Sequence, residues 1–113
     1  MLGQNILVVD DESNIVQSLA FVFNREGFDA AKTGEGVQSM SMIRGSKPNL
    51  LSLDIMMPNK NGYEVCQEIK SDPELQDIQA VMLSSISNEE SRRHAMSQGA
   101  DDYINKPFSL MRV

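Results

Sequence analysis

Short apolar runs and helical stripes alternate along the chain, and their periods assign most of the elements. Residues 5–9 (NILVV) form an apolar run of strand length. Ile15, Val16, Leu19, Ala20, Val22 and Phe23 then recur at helical spacing until Gly27 stops them. Residues 28–32 read as a weaker strand. Thr33 is the expected cap of a helix with Val37, Met40 and Ile43 on its apolar face, ending near Gly45 and Pro48. Residues 50–53 (LLSL) give a third strand, and Tyr63, Val65, Cys66 and Ile69 mark a helix that Pro73 ends. Residues 78–83 form a fourth strand. Ser87-Asn88-Glu89-Glu90 fits a capping box opening a helix that runs to Gln98 and closes at Gly99. Residues 102–105 form a short fifth strand, and a last helix is expected to start near Ser109.

Strand and helix thus alternate five times, which predicts an α/β domain: a doubly wound parallel sheet with right-handed crossovers. Parallel strands are buried on both faces and read as continuous apolar runs. Ligand sites of such sheets lie beyond the carboxyl ends of the strands. Strand one ends in Asp10-Asp11, strand three in Asp54, strand four in Ser84-Ser85 and strand five in Asn105-Lys106-Pro107. Three carboxylates, a hydroxyl and an ammonium are therefore expected on one rim.

Three crowded carboxylates repel one another. A hard divalent cation relieves that repulsion, and Mg²⁺ (or Mn²⁺) prefers carboxylates plus retained waters. A carboxylate facing a metal, an ammonium and a hydroxyl is also suited to be an Asp nucleophile for phosphoryl transfer, which needs positioning and charge neutralisation above all. Asp54 is that carboxylate, opposite Asp10 and Asp11.

Composition narrows the picture further. A length of 113 residues suits one domain spanning 1–113, and the net charge of −6 argues against a nucleic-acid-binding surface. The single cysteine, Cys66, has no intrachain partner and suits a reducing, cytoplasmic setting. The apolar runs are only a few residues long, so no membrane span or signal peptide is expected.

The segments ILVVDDE, LDIMMPNKNGYEV, VMLSS and GADDYINKPF, in this order and after these strands, resemble the receiver domain of two-component response regulators, the chemotaxis-regulator type included. The resemblance covers nearly the whole chain and implies the strand order 2-1-3-4-5 of a flavodoxin-like receiver. By it, Asp54 is the phosphoacceptor, taking its phosphoryl group from a phosphohistidine on a sensor histidine kinase or phosphotransfer protein. Asp11 is a direct metal ligand, Asp10 acts largely through water, and the Met56 backbone carbonyl completes the protein's share of the coordination. Lys106 pairs with the phosphoryl oxygens, Ser84 closes on them, and Tyr103 turns inward on activation. Pro107 implies a cis Lys106–Pro107 peptide. The domain then catalyses only its own phosphorylation and dephosphorylation, and the surface around the fourth helix and fifth strand controls a downstream output domain or protein.

Some positions depart from the resemblance or have plainer readings. Ser84-Ser85 stands where Thr-Ala is commoner, which keeps the hydroxyl donor and drops a methyl. Ser52 interrupts an otherwise apolar strand. Met56 and Ile86, beside the site, are apolar and cannot position an attacking water. Taken singly, Asp10 and Asp11 are helix caps, Lys106 a solvated lysine, Tyr103 half-buried packing, His94 part of a solvated face and Cys66 inert core. Their joint placement favours function. Rival readings are a metal-dependent phosphohydrolase with an Asp nucleophile, whose Asp-x-Asp is replaced here by Asp10-x-Glu12, and a flavin-binding module, for which VVDDES would repel the phosphate. A third is a pseudo-receiver that only binds partners, against which the full acidic set speaks. Five residues from Ser109 cannot make a helix that covers a sheet face. The expectation is a fifth helix cut short, leaving an apolar strip beside the first helix that pairing with a second copy would hide.

Overall fold

A computed structural model describes residues 4–57, 59–84 and 89–105. Its elements run β1 (Asn5–Val9), α1 (Ser13–Arg25), β2 (Asp29–Thr33), α2 (Gly36–Ser46), β3 (Leu50–Asp54), α3 (Gly62–Ser71), β4 (Gln79–Ser84), α4 (Glu89–Ser97) and β5 (Asp102–Asn105). The five strands are all parallel, in the order β2-β1-β3-β4-β5. The expected doubly wound α/β sheet is therefore the one observed, as is the strand order.

Alternation along each strand divides the apolar side chains between two cores. Ile6 and Val8 of β1 and Leu83 of β4 pack with Val16 and Leu19 of α1. Leu7, Val9, Leu51, Leu53, Ala80, Met82 and Tyr103 face the other way, toward Met40 and Ile43 of α2, Val65 and Ile69 of α3 and Ala95 of α4. The central strands read as apolar runs, broken in β3 by Ser52, because successive side chains enter different cores. Edge strand β2, with Asp29 and Lys32 exposed, carries the charges that keep an open edge from pairing with another chain. Beside α1, Leu19, Phe23, Leu50, Val81, Leu83 and Ile104 line an apolar hollow of about 250 Å³, with Ser52 at its wall.

The departures from expectation are local. β2 and β4 each begin and end one residue later than the apolar pattern suggests, because their ends follow pairing with the neighbouring strand. Thr33 ends β2 instead of capping α2, and its hydroxyl donates to Gln38 Oε1 at 2.9 Å. The cap is Glu35, whose carboxylate accepts from the Gln38 N–H at 2.9 Å. Val37 is more than half exposed, since the buried stripe is Gly36, Ser39, Met40 and Ile43. Successive steps of three residues drift around a helix of about 3.6 residues per turn, so 37-40-43 is not one stripe. α3 opens with a reciprocal capping box: Asn61 accepts from the Glu64 N–H at 3.0 Å, and Glu64 from the Asn61 N–H at 2.9 Å. The expected capping box at Ser87-Asn88, together with Ser85, Ile86, the cis Lys106–Pro107 peptide and the helix from Ser109, lies outside the described residues. Among those described, no helix is long and apolar enough to cross a membrane.

At the opposite end from the acidic residues, one lysine ties three elements together. Lys70 Nζ of α3 donates to the carbonyls of Gln76 (3.2 Å) and Ile78 (2.7 Å) and to Asp101 Oδ2 (2.9 Å). Asp101 Oδ2 also accepts the Ala80 N–H of β4 at 2.8 Å, and the Asp101 N–H returns to the Ala80 carbonyl at 2.8 Å. The turn between α4 and β5 is thereby fixed to β4 and α3.

Cys66, on the buried face of α3, donates its thiol to the Gln98 carbonyl at 3.6 Å. Burial pushes its pKa from 9.0 up to about 11, with Lys70 opposing slightly. The unfolded thiol thus ionises at lower pH than the folded one. Its contribution to stability is complete below about pH 9 and is lost as pH rises through about 11, by at most about 1.4 kcal/mol per pH unit. Cys66→Ala should start less stable and show a flatter decline over that window. Parallel stability–pH curves for the two proteins would show that another group sets the slope.

Candidate functional site

β1 and β3 are adjacent and in register, Val9 opposite Leu53, and each runs into an aspartate at its carboxyl end. Asp10 and Asp54 are 1% and 5% exposed, while Asp11 is open to solvent. One carboxylate oxygen from each of the three lies within 4.8 Å of the others. The geometry is a half-buried acidic cluster with one solvent-facing side, next to a cleft of about 290 Å³ that Ser13, Gln17 and Lys32 also line.

Backbone bonds explain how such a cluster is held. The Asp10 N–H donates to the Thr33 carbonyl at 3.1 Å, extending the β1–β2 pairing by one residue. Asp10 Oδ1 accepts the Glu12 N–H at 2.9 Å, turning the chain into α1. Asp10 does not cap α1: the cap position is Glu12, extended and without a side-chain cap bond, and Asp10 closes the turn just before it. On β3, the Ile55 N–H donates to the Leu83 carbonyl at 3.2 Å, which carries the β3–β4 ladder past Asp54. Ser84 follows Leu83, ends β4 and is buried at the same rim.

The segment after Asp54 folds tightly back on it. The Gly62 N–H donates to the Ile55 carbonyl at 3.0 Å, and a Cβ on Gly62 would lie 2.4 Å from the Asp54 carbonyl oxygen. A Cβ on Gly36 would come within 2.1 Å of the Lys60 carbonyl oxygen, so the start of α2 presses on the same segment. Met57 is buried in the core, whereas Met56, one residue earlier, is 64% exposed. Lys60 pairs with Glu68 on α3; the other Glu68 oxygen takes Arg44 of α2 at 3.1 Å, and Arg44 reaches Asp72 at 2.7 Å.

Tyr103 is buried on β5, opposite Met82 and toward α4. Tyr63, in the first turn of α3, has its phenol pKa raised by burial and then by the nearby Tyr103. Its ring meets that of His94 edge-on, centroids 4.3 Å apart, so the polar face of α4 carries one ring contact that its solvated character did not suggest. Of the expected site residues, the structure brings Asp10, Asp11, Asp54 and Ser84 to one rim, with Met56 beside it and Tyr103 on the neighbouring strand; Lys106 lies outside the described residues. Sequence reasoning missed the Lys60–Glu68–Arg44–Asp72 chain, whose partners are far apart in sequence and follow no period. It also missed the capping box of α3, although Asn61-x-x-Glu64 was there to be read.

Comparison with known proteins fits this architecture. Residues 6–113 match the response regulator receiver domain family. The chain is 39% identical over 107 residues to the DNA-binding response regulator MtrA of Mycolicibacterium paratuberculosis, covering 95% of this chain and 46% of that protein. It is 36% identical over 109 residues to the phosphate regulon transcriptional regulatory protein PhoB of Pseudomonas aeruginosa, covering 96% and 48%. The chain thus spans about half the length of these relatives. Among solved structures, the phosphorylated cyanobacterial phytochrome response regulator RcpA superposes with a TM-score of 0.88 at 28% identity, covering 97% of this chain and 85% of that one. The BeF3-activated N-terminal receiver domain of Klebsiella pneumoniae RstA gives 0.86 at 26% identity, covering 93% and 87%.

The close approach at Gly62 has a direct test. Gly62→Ala should destabilise the domain by about 1–3 kcal/mol, because the added methyl meets backbone that cannot move aside. Gly45→Ala, in the same kind of element but with open space around it, should stabilise by about 0.5–1 kcal/mol through its helix preference. Urea denaturation of both variants reads the two signs; equal effects would remove the steric account.

Proposed function

Since this chain belongs to the response regulator receiver family, we propose that it is a phosphoacceptor switch in which Asp54 takes a phosphoryl group from a phosphohistidine of a sensor histidine kinase or phosphotransfer protein. The observation that carries the reading is the convergence of Asp10, Asp11 and Asp54 to within 4.8 Å at the carboxyl rim of the sheet. In the transfer, an Asp54 oxygen forms the new P–O bond as the P–N bond of the phosphohistidine breaks, and the electron pair leaves on the imidazole nitrogen.

The donor set fits a hard divalent cation: it is all carboxylate oxygen, two groups are held by the sheet, and one side is open for retained water. Asp10, Asp11, Asp54 and the Met56 backbone carbonyl would hold Mg²⁺ (or Mn²⁺). When bound, the ion offsets the negative charge of the carboxylates and of the arriving phosphoryl group. Lys106 supplies a second positive charge at the phosphoryl oxygens, and Ser84 donates a hydroxyl from the end of β4. The transfer adds about 1.5 to 2 negative charges, toward which Lys106 and Ser84 are drawn. Tyr103 then fills the space Ser84 leaves, and the surface of α4 and β5 changes for a downstream partner. Activity of its own is limited to its phosphorylation and dephosphorylation. MtrA is a DNA-binding response regulator and PhoB a transcriptional regulatory protein, so a DNA-binding output domain attached to this receiver, working in the cytoplasm, fits them; the receiver itself is read as making no direct contact with nucleic acid or membrane. We read residues 1–113 as that receiver domain.

Two outcomes test the reading. With Mg²⁺ and acetyl phosphate, the wild-type chain should gain about 80 Da, one phosphoryl group, and Asp54→Asn should gain nothing. An equal gain in the variant would move the acceptor elsewhere. Asp11→Asn relieves like-charge repulsion, so without metal it should melt no lower than wild type, while most of the Mg²⁺-dependent rise in melting temperature disappears. An unchanged magnesium response would take Asp11 out of the coordination.

A further inference from the structure

The segment between Asp54 and α3 is held at its far end from two sides. Backbone contact with Gly36 of α2 leaves no room for a side chain there. The Lys60 ammonium is meanwhile drawn to Glu68, two turns along α3. Glu68 is in turn shared with Arg44 of α2, which reaches on to Asp72. Lys60 and Arg44 hold the Glu68 carboxyl below its usual range, Lys60 having the larger effect. Lys60 is three-quarters buried, so its charge is neither freely solvated nor free to choose another partner on that face. One residue past Lys60 the capping box starts α3, and at Gly62 the chain touches the Asp54 carbonyl. A shift of Lys60 is therefore passed, through two residues, to the backbone of Asp54.

We propose that Lys60 and Glu68 are positioning residues, an ion pair that fixes the segment following Asp54 and so tunes how tightly the acidic cluster holds a divalent cation. The inference rests on the reading of Asp10, Asp11 and Asp54 as a cation site. Neither residue touches the ion or the phosphoryl group. Their effect is on the geometry of groups that do, since a site of fixed ligands loses affinity when one of them is free to drift. Arg44 and Asp72 extend the chain of charges but lie beyond Glu68, so they steady the packing of α2 on α3 without gripping the segment.

The test is a magnesium titration of the whole chain, followed by the rise in melting temperature and separately by the rate of phosphorylation from acetyl phosphate. Lys60→Gln and Glu68→Gln should each raise the Mg²⁺ concentration for half-maximal effect about two- to five-fold, with the maximal rate unchanged. The double variant should show no more than either single one, because both remove the same interaction. High salt should bring wild type toward the variants, as it screens a partly exposed pair. Asp72→Asn should lower the melting temperature without moving the half-maximal concentration. Wild-type midpoints in both single variants, additive shifts in the double variant, or an equal shift in Asp72→Asn would each overturn the proposal. Failure of the underlying reading looks different: wild type itself would then show no magnesium-dependent rise in melting temperature.

Discussion

Val9 lies opposite Leu53 across two parallel strands, so the next residue of each, Asp10 and Asp54, leaves the sheet at the same level. Everything at the rim depends on that register. A slip of one residue would exchange the two core faces of β1, driving Leu7 and Val9 toward α1 and taking Asp10 away from Asp54. Burial of the apolar side chains on both faces opposes such a slip, and the same burial holds two carboxylates close despite their repulsion. The two carboxylates repel one another there, and the proposed cation would offset their charge.

Around that fixed pair the other groups are arranged by simpler means. Asp10 spends one oxygen on the Glu12 N–H, which both starts α1 and orients the carboxylate. The backbone of Asp54 is boxed in by Gly62, where no side chain fits. Ser84 arrives at the rim because β4 runs one residue past the partner of Asp54. Asp10, Asp54 and Ser84 are each delivered by a strand end, and the helices between return the chain to the other end of the sheet.

The elements most readable from the sequence were those whose signal is local. β1 and β5 have the bounds their apolar runs suggest, and the cluster of Asp10, Asp11 and Asp54 followed from asking what ends each strand. α2 was less legible. Its mean character is weakly amphipathic, and Val37 mimics a core position although Glu35, not Thr33, fixes where the helix begins and hence which face is inward. The chain of charges from Lys60 to Asp72 was not legible at all. Glu68 and Arg44 are 24 residues apart, and only the packing of α2 beside α3 makes them neighbours. Local propensity finds elements; the ion pairs that join them belong to the tertiary arrangement.

Asp101 accepts from both the Lys70 ammonium and the Ala80 N–H, and this clamps the α4–β5 turn at the end of the molecule away from the acids. A rod gripped at one end can swing but not slide. α4 spans nine residues, about 13 Å of axis, and Glu89 begins it at the end away from the clamp. A tilt of roughly ten degrees about the clamp would carry that end about 2 Å, while Gln98 and Gly99 would scarcely move. Lys70, at the end of the sheet away from the acids, thus acts on α4 as a pivot acts on a lever.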